Sequence, residues 1–345
     1  MSTTDWPKVQ LHVVTGKGGT GKSTVAAALA LALASRGKTV LLCEVEGRQG
    51  ISQMFDVPPL PYEERRIASG LPGSSDGSSA DHSSAGSVYA LHIDAESALL
   101  EYLAMYYKLG RAGKALDRFG VIDFATTVAP GVRDVLLTGK VFEAAKDGRK
   151  RGTSSRGGQQ YDAIVLDAPP TGRIAQFLNV NGELAGLAKA GPIKKQADTV
   201  MTLFRSPRTA VHLVTVLEEM PVQETADGVA ELREARLPVG GVVVNLVRPR
   251  DLSADQLEAA RAGTLDRDRV EGDLRAVGVP VDDVLVEGLL SEARSHAERR
   301  ALEESQRTLI GDIGVPTYEL PRLPSGVDMG GLYDLAATLR EQGMA

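Results

Sequence analysis

Short apolar runs recur along the chain, separated by longer segments of mixed pattern. Residues 9–15 form one such run, rich in β-branched side chains. Similar runs lie at 38–45, 88–93, 161–167, 209–217, 239–246 and 315–320. Short apolar runs that end in polar residues predict buried parallel strands. Helical pattern fills several of the gaps: residues 25–34, Ala/Leu-rich without Gly or Pro, then 223–234 and 287–306. Strands alternating with helices predict an α/β fold, a mostly parallel doubly wound sheet with helices on both faces. Residues 94–146 read as a helical subdomain, with breaks near Gly120 and at Pro130-Gly131. Leu99, Leu103, Tyr106 and Leu109 recur there at helical spacing, which predicts a core stripe. Residues 69–87 and 147–160 are poor in apolar side chains and are expected to be flexible insertions. No internal repeat is visible, so residues 1–345 are expected to form a single domain.

One stretch changes this from a fold to a chemistry. Between the first strand and the first helix stands Gly16-Lys17-Gly18-Gly19-Thr20-Gly21-Lys22-Ser23-Thr24. Its spacing fits G-x-x-x-x-G-K-S/T, with Gly16, Gly21, Lys22 and Ser23 at the fixed positions. Glycines let backbone N–H groups turn inward around phosphate oxygens, and the following helix points its positive end at the same anion. Lys22 would reach the β- and γ-phosphates and the Ser23 hydroxyl would ligate Mg²⁺.

Composition adds bounds. Apolar content is 43% and charged content 24%, ordinary for a soluble globular protein. A net charge of −6 argues against a general nucleic-acid binder. Cys43 is the single cysteine, which excludes an intrachain disulfide and an all-cysteine metal site in one subunit. The first residues carry Asp5 and no apolar h-region, and no run is long enough to span a bilayer. A reducing cytoplasmic location is expected.

Other candidates stand at strand ends, where open α/β sheets place ligands. Asp167 closes an apolar strand and is followed by Ala168-Pro169-Pro170-Thr171-Gly172-Arg173. A carboxylate there suits the Mg²⁺ shell, and the Pro-Thr-Gly run suits a segment with two conformations. Glu46 is a candidate for orienting the attacking water, or else a solvated strand-end carboxylate. Lys17 is a lysine that an ordinary phosphate loop does not need. It could add charge to a transition state in its own or a neighbouring subunit, or be an exposed loop lysine. Asn245 ends another apolar strand, and its amide could pair with an adenine edge.

The loop with its extra Lys17, a deviant Walker A, resembles that of ArsA-like and MinD-like ATPases of the SIMIBI class of P-loop proteins. The resemblance is nearest to the ArsA branch, which includes the arsenite pump ATPase and the ATPase of tail-anchored protein targeting. Residues Asp167 to Arg173 are similar to that branch's D-T-A-P-T-G-H switch II. Glu46-Gly47-Arg48 falls where the branch has the D-P-A of switch I. Glu218, Glu224-Thr225 and Val244-Asn245 stand at matching places. Glu44 to Gly50 and Pro58 to Tyr62 resemble an actinobacterial subgroup of anion-transporting ATPases, whose members occur beside a second ArsA-like paralogue.

The resemblance implies ATP and Mg²⁺ as cofactors, and Mg-dependent ATP hydrolysis that drives a dimer between open and closed forms. It implies a homodimer, or a heterodimer with an ArsA-like paralogue, acting on a client or membrane partner and not on nucleic acid. Lys17 would cross the dimer interface to the partner's nucleotide, Glu46 would replace a catalytic aspartate, Glu218 would lie near the nucleotide across the interface, and Asn245 would contact adenine. The departures are specific. Glu46 is one methylene longer than aspartate, and Arg173 replaces a histidine. No Cys-x-x-Cys is present, so no zinc is expected, and Cys43 alone cannot form a three-thiolate metalloid site. The Glu46 and Arg173 departures motivate a second reading, an ATP-binding regulatory subunit of a heteromer with little or no hydrolysis of its own. A MinD-like positioning protein would want a basic amphipathic tail, and residues 332–345 carry only Arg340.

Overall fold

The computed structural model describes residues 4–45, 49–71, 85–107, 130–147, 161–179, 192–324 and 326–345. Its sheet holds β1 (Leu11–Gly16), β2 (Thr39–Glu44), β3 (Arg65–Ser69), β4 (Ser87–His92), β5 (Ala163–Asp167), β6 (Thr209–Thr215), β7 (Val239–Val247) and β8 (Thr317–Pro321). The strand order is β3-β4-β2-β5-β1-β6-β7-β8. Only the edge pair β3–β4 is antiparallel.

Alternate residues of each strand feed two cores. Leu11, Val13, Leu41, Cys43, Ile164 and Leu166 face one side. Val14, Val40, Leu42, Ala163 and Val165 face the other. Because both faces are covered, the strands carry the continuous apolar runs that made them legible. Helix α1 (Lys22–Ala34) lies on the second face, with every residue from Val25 to Ala34 buried. A helix that is apolar all round belongs in an interior, and the alanines keep it narrow enough to lie close to the sheet.

The remaining helices follow in chain order: α2 (Gly50–Met54), α3 (Ala95–Tyr107), α4 (Pro130–Asp147), α5 (Thr171–Leu178), α6 (Pro192–Phe204), α7 (Glu219–Glu234), α8 (Ala254–Ala262), α9 (Arg267–Ala276), α10 (Asp283–Asp312) and α11 (Met329–Glu341). α11 packs on α1 in the second core, through Leu332, Leu335 and Leu339. α4, α5, α6 and α7 cover the first face with residues such as Val135, Phe177, Phe204 and Leu232. The helical insertion expected over 94–146 supplies α3 and α4, which pack together and share the Lys140–Glu101 ion pair at 2.8 Å. Leu103, Tyr106, Leu109 and Gly120 lie at positions whose side chains are outside the described residues. No helix among the described residues is long and apolar enough to cross a membrane.

Two features go beyond the sequence reading. β3 was not anticipated, and with it the stretch 69–87 takes on a defined base: Ser69 pairs with Ser87 across β3–β4. The Gly70 N–H then donates to the Gly86 carbonyl at 3.0 Å. Residues 72–84 and 148–160 are outside the described residues. The second feature is a helical excursion between β7 and β8, in which α8 and α9 pack on the long α10.

One pair of buried polar groups stands in the sheet itself. His12 Nδ1 lies 3.1 Å from His212 Nε2, with the rings stacked. The Gly241 N–H donates to His212 Nδ1 at 3.1 Å, so the His212 proton is on Nε2 and points at His12. Burial holds both imidazoles neutral, His212 down to about 3.

Candidate functional site

β1 ends at Gly16 and α1 begins at Lys22, so the glycine loop fills the turn between them. Gly19 and Gly21 take φ of +90° and +85°, a region open to glycine at little cost. Gly21 is the N-cap, and its carbonyl accepts the first helical bond from Val25 N–H at 3.0 Å. No acidic residue belongs to the first turn of α1, so the helix supplies no carboxylate of its own against the positive end of its dipole.

Asp167 reaches this helix from the side. It closes β5, in register with Val14 of β1. Its Oδ2 accepts from the Ser23 hydroxyl at 2.6 Å, and the residue is buried. The chain after Asp167 is held to β1 twice. The Ala168 N–H donates to Val14 O at 2.9 Å, and the Thr15 hydroxyl donates to Pro169 O at 2.7 Å. Pro170 then caps α5, whose first turn carries Arg173. The Arg173 guanidinium lies 3.9 Å from the buried Asp134 carboxylate at the start of α4. Arg173 thus faces α4.

Two long-range contacts hold the loop itself. Lys17 Nζ donates to Glu224 Oε1 of α7 at 2.6 Å, within the same chain. The Asn245 amide, at the end of the buried part of β7, donates to Thr20 O at 2.9 Å. The Thr20 hydroxyl donates onward to Lys17 O at 2.8 Å. Glu218 caps α7 with an exposed side chain and lines a cavity of about 690 Å³ with Leu217, Leu246, Arg248 and Arg322. That cavity opens beside the carboxyl ends of β6 and β7, and its lining includes Leu246, the residue that follows Asn245.

The structure therefore brings together the loop from Gly16 to Thr24, Asp167 and Asn245, with Glu218 to one side. Glu46, Gly47 and Arg48 lie outside the described residues. Their flanks are well held. Glu44 is buried, and its Oε1 accepts from Gly50 N–H at 2.8 Å. Gln49 exchanges two hydrogen bonds with the Leu60 backbone, at 2.8 and 3.1 Å. Sequence reasoning missed the holding roles of Glu44, Thr15 and Gln49. A buried carboxylate two residues before a candidate catalytic one was the available signal for Glu44. Burial pushes the Cys43 thiol well up, which leaves it an inert core side chain.

Residues 9–207 match the anion-transporting ATPase family. The chain is 49% identical over 347 residues to the ATPase BagA of Mycobacterium tuberculosis, covering 99% of this chain and 97% of that protein. It is 27% identical over 268 residues to an arsenical pump-driving ATPase of Acidiphilium multivorum, and 26% over 294 residues to that of Escherichia coli. Those alignments take in 71% and 79% of this chain, and 41% and 46% of the two relatives. With the phosphate-loop geometry in place and these matches running along the chain, the protein belongs to the anion-transporting ATPase family.

Proposed function

We propose that this chain binds ATP on the loop Gly16 to Thr24 and hydrolyses it with Mg²⁺, using nucleotide state to open and close a dimer that acts on a partner protein. The observation that carries the reading is the 2.6 Å contact between Ser23 and Asp167 beneath the positive end of α1. A hydroxyl and a carboxylate are hard oxygen donors of the kind Mg²⁺ takes, and both stand beside the glycine loop. When bound, the ion would neutralise charge on the phosphates. The chain's own groups do the rest. Lys22 and the loop amides hold the β- and γ-phosphates, Asn245 and the cavity beside Glu218 take the base and ribose, and Glu46 orients water. The dimer is the part of the proposal that gives Lys17 its work, as a cation moved from Glu224 to the partner's nucleotide.

The test is phosphate release from purified protein with Mg·ATP, alongside ATP affinity. Lys22→Ala should lose nucleotide binding by at least about a hundredfold, since it removes the charge that pairs with two phosphates. Glu46→Gln should keep ATP and lose most turnover. Tight ATP binding without phosphate release, alone or with an ArsA-like paralogue, would overturn the hydrolytic part.

A further inference from the structure

Another, smaller cavity opens at the carboxyl edge of the sheet, on its first face. It lies between Val45, which follows β2, and Pro169, just past β5, and residues of α4 and α5 close its sides. Its volume is about 120 Å³. That is well below the roughly 300–1,000 Å³ of sites that take drug-sized molecules, so it suits a group of a few atoms and not a nucleotide. Buried Leu137 and Phe177 give it an apolar floor. Its charged lining is Arg133 and Asp134 of α4 and Arg173 of α5. Two guanidiniums against one carboxylate leave one positive charge in excess. The carboxylate does not engage Arg173 closely. Asp134 is buried, and its Oδ2 lies 3.9 Å from Arg173 Nη2, well beyond the ~2.7–2.9 Å of a charge-assisted hydrogen bond. Half of the Arg173 side chain is exposed. Arg133 is exposed too, and makes no ion pair to a described residue.

We propose that this cavity between α4 and α5 binds a small oxyanion, a phosphate, sulfate or carboxylate group, held by the Arg133 and Arg173 guanidiniums. A guanidinium presents paired N–H donors in one plane, the arrangement that two oxygens of such a group accept. The apolar floor lowers the local dielectric and strengthens that attraction. Asp134 acts as the competitor. It faces Arg173 in the absence of the anion, limits affinity by its own negative charge, and gives up Arg173 when the anion enters. Pro169 joins this cavity to the nucleotide site. It lines the cavity, and its carbonyl accepts from the hydroxyl of Thr15, the residue before the glycine loop. An anion that draws Arg173 from α4 therefore acts on α5, the helix that begins where this held segment ends. The oxyanion site goes beyond the ATP reading and does not depend on it.

Calorimetric titrations of the full chain with inorganic phosphate, sulfate and acetate test this. Two settings keep the phosphate loop out of the measurement: wild type saturated with Mg²⁺ and a non-hydrolysable ATP analogue, and Lys22→Ala without nucleotide. An oxyanion should bind at one site in both. Arg133→Gln and Arg173→Gln should each weaken it by at least about tenfold, the worth of one hydrogen bond to a charged group. Asp134→Asn should tighten it several-fold, because the excess rises from one positive charge to two, a gain that a merely structural Asp134 would not give. Phosphate and sulfate binding well above acetate would mark a free tetrahedral ion as the ligand, and acetate binding as well as either would mark a carboxylate; both support the site. No binding of any of the three, binding that survives both arginine substitutions, or a folded Asp134→Asn that binds more weakly would overturn it and leave the ATP reading standing. Failure of the analogue to bind would sink the ATP reading, and the Lys22→Ala titrations would still decide the oxyanion site. If circular dichroism shows Asp134→Asn unfolded, the two exposed arginines decide alone.

Discussion

Lys17 has one ammonium and two proposed places to put it. In this structure it sits on Glu224. Both side chains are about one-third exposed, at 33% and 37%, so the pair is a surface ion pair, worth about 0–1 kcal/mol. A contact that weak holds the lysine out of the way and lets it go at little cost. Lys17→Ala should therefore leave ATP affinity within about threefold, because the loop amides and Lys22 remain, while turnover falls more than about tenfold. Glu224→Gln should leave the melting temperature within about 2 °C and change turnover, because it alters where the lysine rests without touching a core. Steady-state phosphate release and a thermal melt check both. Lys17, Lys22 and Ser23 stand out in the sequence as candidates because the spacing of one short loop marks them. The Lys17–Glu224 and Asn245–Thr20 bonds do not, since their partners are 207 and 225 residues apart and only the folded sheet brings them together.

At the scale of elements, α7 stands out because it touches two parts of the candidate site. Glu224 meets Lys17, and one turn on, Gly228 meets Thr171 at the start of α5. A Cβ at Gly228 would collide with the Thr171 methyl group. Gly228→Val should thus push α5 from α7, destabilising by about 1–3 kcal/mol as an overpacked contact does. It should also lower turnover more than ATP affinity, since Thr171 follows directly on the segment that Asp167 begins. Urea denaturation and paired kinetic and binding measurements separate the two effects. The elements themselves divide by burial. Parallel strands covered on both faces show as apolar runs, and all seven were readable. β3 carries exposed Arg65 and Arg66 on a sheet edge, so it shows no run. α9 has no buried residue at all, so no apolar stripe marked it.

Acid reaches the whole molecule through the histidine pair. The unfolded chain holds these imidazoles near their ordinary value of about 6.5. The folded protein holds His212 at about 3 and His12 well below its usual range. Between those values the unfolded chain takes up protons that the native state refuses. The pair's contribution to stability is therefore full above about pH 6.5 and is lost progressively as pH drops toward 3. The unfolding free energy should drop by a few kcal/mol between about pH 7 and 4, on the order expected for a buried neutral imidazole. His12→Gln, with one ring fewer, should give a shallower slope in a urea titration at a series of pH values. An unchanged slope would assign the acid sensitivity to carboxylates instead.

The neck formed by Gly70 and Gly86 has a practical reach. It is closed by the Gly70–Gly86 bond, by Gly86 N–H on Ala34 O at 3.0 Å, and by the Tyr333 hydroxyl on Ser69 O at 2.8 Å. Ser87 is in register with Thr39, the first residue of β2, so the neck stands at the amino edge of the sheet, opposite the phosphate loop. Chain added between 71 and 85 leaves and re-enters through a gap already cinched, and each doubling of its length costs only about 0.6 kcal/mol. This is a docking port for engineering. A fluorescent domain or an affinity handle grafted there would travel with the ATPase and stand clear of its nucleotide.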